Sequence, residues 1–319
     1  MSLLKRINTK ASTAENTGFG TNAAAYGGRF LNQDGSANIL KKGVGLLEGV
    51  SLYHVLLKMP RIKFIVVLFS TYLIINIFFT ITYLLVGIHQ LSGIIADTWW
   101  QKVEHAFFFS CQTFTTVGYG SIYPKGTAAN FIACIEAFTG WLGFALAAGL
   151  MYGRFSQPKA YLKFTDRTVI APHKEGKALM FRVAPYKNTV LSDAQARITL
   201  ALSVEEDGRT VNRFFPLELE IGQVLTLTLS WTIVHPITEK SPLYNFTKED
   251  FEKTKLEILV FISAFDEHFS NTVLARTSYM NHEIVHGARF APMFYRSENN
   301  VHTILDFDRL NAVEEVVLG

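Results

Sequence analysis

Two short runs carry residue types that could do chemistry. His282, Glu283, Ile284, Val285 and His286 spell HEIVH, the spacing at which two imidazoles on one helical face hold zinc while the glutamate serves as general base. That chemistry needs a helix and a third ligand downstream. The segment itself opposes a helix, because Ile284 and Val285 are β-branched and Gly287 follows at once. The other run is Thr115, Thr116, Val117, Gly118, Tyr119 and Gly120, TTVGYG. Its alternate glycines supply backbone angles that a Cβ would penalise. A single residue, Glu136, adds a carboxylate inside an otherwise uncharged apolar stretch, where a charge costs at least about 2.5 kcal/mol and marks a functional position by default.

The elements that must position these residues follow from composition. Of 319 residues, 49% are apolar and 13% aromatic, whereas 18% are charged, against roughly 25% in an ordinary soluble domain. The deficit predicts a membrane part, and a net charge of +3 without a Lys/Arg block excludes a nucleic-acid partner. From Phe64 to Ile88 no Asp, Glu, Lys, Arg or His occurs over 25 residues, enough to cross a hydrocarbon core of about 30 Å. A second stretch from Gly126 to Gly153 holds only Glu136 among its 28 residues. Lys58, Arg61 and Lys63 flank the first stretch, Arg154, Lys159 and Lys163 follow the second, and the intervening loop is charge-balanced; both termini are expected to be cytoplasmic. No apolar run suited to a cleavable signal peptide occurs before Gly45. Leu52, Val55, Leu56 and Met59 recur at helical spacing before Pro60, predicting a helix in the membrane interface. The apolar stretch from Thr98 to Thr115 suffices only to enter the membrane and return, so non-helical backbone after it must line a cavity or be buried by protein. Cys111 and Cys134 both lie in apolar segments, which predicts buried thiols and no disulfide.

Standing between two spans at the end of a short re-entrant helix, TTVGYG resembles the selectivity filter of potassium channels. The resemblance implies that four copies point successive carbonyls inward to replace the water shell of K+, held at Thr116, Val117, Gly118 and Tyr119, with no other cofactor. Beyond the filter, WTIVHPITEKSPLY from Trp231, RTSY from Arg276, EIVHGARF from Glu283 followed by Ala291, Pro292 and Met293, and GRFLNQDGSANI from Gly28 resemble the inward-rectifier family. Gln112 stands where animal members carry a buried Glu, Ile122 stands where they carry its Arg partner, and their extracellular disulfide pair is missing; these features resemble the bacterial branch of the family. The position associated with strong polyamine block falls on Phe144, so strong rectification is not expected. Gly140, Phe144, Ala148 and Tyr152, four apart, share a slowly drifting helical face expected to line the inner pore. The resemblance makes Gly140 the hinge position and Tyr152 the constriction. Glu136 is expected either to brace the pore helix, with Gln112 nearby, or to hold a cation. Arg61, Lys63, Arg154 and Lys159 are candidates for binding anionic phospholipid, beside their part in topology.

From Ala160 onward apolar residues alternate. Ile198, Leu200, Leu202 and Val204 form one series, and Leu225, Leu227, Leu229, Trp231 and Ile233 another, with a hairpin signal at Asp207 and Gly208. The chain is expected to fold as a membrane α-helical two-span pore domain plus an all-β cytoplasmic domain, and the resemblance implies that this domain is an immunoglobulin-like β-sandwich and that the chain assembles as a homotetramer in a bacterial inner membrane. The expected parts are a cytoplasmic N-terminal segment over 1–45, an interfacial slide helix over 46–60, the pore domain over 61–157 and the regulatory domain over 158–319. Within the pore domain the spans occupy about 64–88 and 126–153, and pore helix and filter about 98–120. The function implied is passive potassium conduction, gated at the inner helices and by the β domain, with no catalysis. The competing readings are a membrane-anchored zinc metalloprotease through HEIVH and a non-conducting ligand sensor.

Overall fold

The computed structural model describes residues 28–43, 51–206 and 209–318, with Asn8, Thr13, Gly18 and Gly45 as isolated positions. They divide into two units, one comprising Lys42–Gln157, the other Pro158–Gly319 together with the N-terminal stretch up to Lys41.

In the first unit α1 spans Leu52–Lys58, opened by the Ser51 hydroxyl, which accepts from the His54 N–H, and closed before Pro60. Residues 46–50 of the expected slide helix lie outside the described residues. α2 (Arg61–Val86) follows, 26 residues long, and ends where Gly87 takes a φ of 112°, a conformation open to glycine. In this apolar helix Thr71, Thr80 and Thr82 each donate to the carbonyl four residues back, which satisfies hydroxyls that have no water to bind. Two short strands, β1 (Leu91–Ser92) and β2 (Tyr123–Pro124), pair across the connecting loop. Between them lies α3 (Trp99–Phe114), started by a capping box in which Thr98 and Gln101 satisfy each other's backbone. α4 (Thr127–Phe155) runs for 29 residues without interruption. α2 and α4 are long and apolar enough to cross a membrane. Phe79, Tyr83, Leu91, Phe109 and Ala129 form the centre of this unit, while Ile62, Phe69 and Leu85 of α2 and Phe131, Trp141 and Leu146 of α4 face outward. So much exposed apolar surface requires lipid or further copies to cover it.

The second unit is a sandwich of two five-stranded sheets. Its strands are β3 (Leu162–Phe164), β4 (Thr168–His173), β5 (Gly176–Pro185), β6 (Leu191–Glu206), β7 (Arg209–Leu217), β8 (Gln223–Leu227), β9 (Trp231–Pro236), β10 (Leu256–Asp266), β11 (Asn271–Met280) and β12 (Ile284–His286). One sheet has the order β11-β10-β6-β7 with β8 also on β6; the other has β12-β4-β5-β3 with β9 also on β5. Between them pack Leu200, Leu202, Ile258 and Val260 from the first sheet and Leu179, Phe181, Val183 and Ile233 from the second, each side chain worth about 1.5–3 kcal/mol of apolar burial. Asp207 and Gly208 lie outside the described residues, but the strands they join pair up to Glu206 and Arg209. α5 (Lys248–Lys253) precedes β10, and β13 (Ala288–Phe290), β14 (Phe294–Arg296), β15 (Thr303–Leu305) and β16 (Val313–Glu315) form two small hairpin-like pairs.

The second alternating series departs from expectation. It is two strands in different sheets, β8 on β6 and β9 on β5. Leu225 is 85% exposed while Leu227 is buried. Opposite Leu225 stands Asp193 in a left-handed conformation, φ 51°, which reverses the inward face and puts Val224 against the core instead.

Candidate functional site

Residues 115–120 leave the last turn of α3 hanging from it by backbone bonds. The Thr116 N–H donates to the Thr113 carbonyl at 3.0 Å, and the Val117 and Gly118 N–H groups both donate to the Gln112 carbonyl, at 3.0 and 3.3 Å. The Thr115 hydroxyl donates to the Cys111 carbonyl at 2.7 Å. Thr116, Gly118 and Gly120 have φ of 57°, 54° and 79°. Left-handed φ at alternate positions is the backbone pattern that a row of carbonyls facing one way requires, and two of the three positions are glycine, for which it is free of steric cost. Thr116 is the departure: a β-branched residue in this region is an outlier that the surrounding structure must hold. Val117 and Tyr119 are exposed, so these loop side chains are largely uncovered among the described residues.

Behind the loop, Glu136 of α4 is fully buried. It accepts from the Tyr83 hydroxyl of α2 at 2.6 Å and from the Ser110 hydroxyl of α3. Ser110 Oγ also lies 3.1 Å from Asn76 Oδ1 and 3.2 Å from the Asn76 carbonyl oxygen. Tyr83, Ser110 and Asn76 are not singled out by any motif; a polar Asn within an apolar span was the available signal. Gln112 contributes its carbonyl to the loop, as given above. Phe144, Ala148 and Tyr152 are exposed along α4, whereas Gly140 is not on their open face. A Cβ built on Gly140 would lie 1.8 Å from the Phe114 carbonyl oxygen, so α4 approaches the end of α3 there and runs on unbroken. Of the two cysteines, both free, Cys111 is half-buried and Cys134 is exposed on α4 instead of buried, because that face of α4 is uncovered among the described residues.

The four basic candidates differ in their surroundings. Arg61 and Lys63 are exposed in the first turn of α2, and Lys159 is exposed in the second unit. Arg154 instead turns inward. Its guanidinium donates to the carbonyls of Leu56, Leu57 and Met59 and sits 4.3 Å from the centre of the Phe64 ring. These carbonyls lie at and just past the end of α1, where a helix leaves acceptors without intrahelical donors.

HEIVH does not form a metal site. Asn281–Glu283 is a single 3-10 turn and Ile284–His286 is β12, so the imidazoles share no helical face. His282 is exposed, and the His286 ring packs edge-on against Phe251 with centroids 4.9 Å apart. Among the described residues no group of three or more His, Cys, Asp or Glu could hold a metal ion. Glu283 is occupied otherwise: it accepts both terminal nitrogens of Arg29, at 3.2 and 3.0 Å, and the Met280 N–H at 2.7 Å. Beside it the buried Glu257 accepts the Phe30 and Leu31 N–H groups at 2.5 and 3.0 Å, so two carboxylates fasten residues 29–31 to the sandwich. Neither role is legible in the sequence, since both partners lie more than 220 positions away.

Two family models match the chain: the inward rectifier potassium channel C-terminal domain over residues 162–318 and an ion channel model over 69–157. The chain is 36% identical over 270 residues to the inward rectifier potassium channel Kirbac3.1 of Paramagnetospirillum magnetotacticum, covering 83% of this chain and 89% of that protein. It is 31% identical over 220 residues to the G protein-activated inward rectifier potassium channel 4 of Mus musculus, covering 65% of this chain and 49% of the relative. To the inward rectifier potassium channel irk-1 of Caenorhabditis elegans it is 26% identical over 226 residues, covering 67% and 42%.

Proposed function

The chain belongs to the inward rectifier potassium channel family, and from that premise we propose that it conducts K+ passively through a pore built by four copies of residues 115–120. The family consists of ion channels, not enzymes. The observation that carries the reading is the alternation of left-handed φ at Thr116, Gly118 and Gly120, in a loop placed between two helices long enough to cross a membrane. One chain supplies a quarter of such a coordination cage, and four-fold cyclic assembly closes it. Carbonyls of Thr116, Val117, Gly118 and Tyr119 would replace the water of the transported ion, while Val117 and Tyr119, unpacked in one chain, gain neighbours from adjacent copies.

Phe144, Ala148 and Tyr152 would line the path below the filter, with the Tyr152 rings narrowest and able to close it by excluding water. The basic flanks of α2 and α4 support an orientation with both termini cytoplasmic, in a bacterial inner membrane, and the β-sandwich as the cytoplasmic regulatory domain. Arg61, Lys63 and Lys159, exposed, and Arg154, which keeps its charge while bonded to carbonyls, are the candidates for anionic lipid headgroups, each gaining about 1 kcal/mol near such a surface. The test is stoichiometry joined to transport. Purified protein is expected to have the mass of four 35.8 kDa chains and to give barium-sensitive K+ efflux from liposomes. A species of one or two chains that conducts equally well would overturn the four-copy pore.

A further inference from the structure

Glu136 and Gly140 are one helical turn apart on α4, and Ser110 and Phe114 are one turn apart on α3. Glu136 bonds to Ser110, and Gly140 abuts Phe114. Residues four apart share a helix face, so these two contacts are successive rungs between α3 and α4. The upper rung extends to α2 through Tyr83 and Asn76, joining three helices by buried polar groups that have no water to turn to. Ser110 has one hydroxyl proton and stands within reach of Glu136 and both Asn76 oxygens. The lower rung ends on Phe114, whose successor Thr115 begins the filter.

We propose that this two-rung ladder positions the filter and so determines its ion selectivity, with Glu136, Ser110, Tyr83 and Gly140 as positioning residues and Gly140 acting as a contact, not a hinge. The loop's amides at 116, 117 and 118 hang from carbonyls of residues 112 and 113, so a displacement of the α3 end is passed directly to the carbonyls that would coordinate the ion. Filter geometry decides between ions of different size through coordination distance and number. At Gly140 a Cβ would overlap a backbone oxygen, and backbone cannot swing aside as a flexible side chain can. A methyl there must therefore push α3 and α4 apart.

The inference rests on the conduction reading, so the parent's K+ and Na+ fluxes in liposomes are measured first; an unselective parent would strike at that reading and not at the ladder. Ser110→Ala, Tyr83→Phe and Gly140→Ala are then compared with Glu136→Gln, which keeps an oxygen for Tyr83 and a polar group for Ser110. Each of the first three is expected to lower the K+/Na+ flux ratio about tenfold, equivalent to about 1.4 kcal/mol of discrimination, in protein that still runs as the parent oligomer. Glu136→Gln should keep the parent ratio. A hinge at Gly140 predicts the opposite pattern for Gly140→Ala: altered total K+ flux at unchanged selectivity. If Gly140→Ala fails to assemble, Ser110→Ala and Tyr83→Phe decide alone, since each removes a single oxygen. Parent selectivity in those two would overturn the proposal.

Discussion

Thr116 is the residue whose conformation its type least favours, and Gly118, with nearly the same φ, is the one whose type allows it. Left-handed backbone costs a residue bearing a Cβ roughly 1–2 kcal/mol, a strain repeated in each copy of a closed ring. Gly118→Ala is therefore expected to abolish K+ flux without preventing expression; flux at the parent level would show that the conformation is not required. A second prediction concerns acid. Burial pushes the His286 imidazole below its ordinary pKa, with Lys248 and Lys177 acting in the same direction and Glu252 against it, and burial lowers His235 likewise. Both are carried neutral by the folded state and bind protons more readily when unfolded. Their contribution is fully present above the ordinary imidazole value of about 6.5 and is lost as pH falls from there through the lower folded-state pKa. Thermal midpoints of the full chain in detergent should drop between about pH 7.5 and about pH 5.5, and less steeply in His286→Phe, which keeps a ring against Phe251. An equal slope in the variant would remove His286 from the account.

At the scale of elements, Arg154 adds to the C-terminal cap of α1, where the Met59 N–H already bonds to the Val55 carbonyl. Hydrogen bonds from a charged donor are worth about 1.5–3 kcal/mol each when partly buried, so Arg154→Gln should speed amide hydrogen exchange in α1 while leaving α2 unchanged. Unaltered exchange in α1 would mean that the cap holds nothing. The sequence places Arg154 only as a basic flank of an apolar stretch, because a flanking charge and a helix cap look alike until the two helices are brought together. The two long apolar helices begin and end within three residues of the charge-poor stretches, since such a stretch is a property of the string. α3 was legible too, as an apolar segment too short to cross. The division into β8 and β9 was not: every second residue from Leu225 to Ile233 is apolar, and neither the change of sheet nor the reversal opposite Asp193 interrupts that pattern. The two-rung contact of α4 on α3 was hidden for the same reason as the Glu257 and Glu283 clasps on residues 29–31, namely that tertiary partners leave no local period.

For the whole molecule, the apolar faces of α2 and α4 and the unpacked side chains of the loop argue that one chain is an incomplete object. Four copies around a common axis would bring Phe144, Ala148 and Tyr152 to the interior. If the Tyr152 rings close the path, Tyr152→Ala should raise basal K+ flux several-fold while selectivity stays at the parent value. An unchanged flux in an assembled variant would move the closure to Phe144 or to the filter. Phe144, at the position that the family resemblance associates with polyamine block, is the reason strong rectification is not expected. What the entire account depends on is the filter, and its most direct test is ion discrimination by the native protein in liposomes. Potassium and rubidium should pass, sodium should be excluded, and barium should block; equal permeability to sodium and potassium would contradict it.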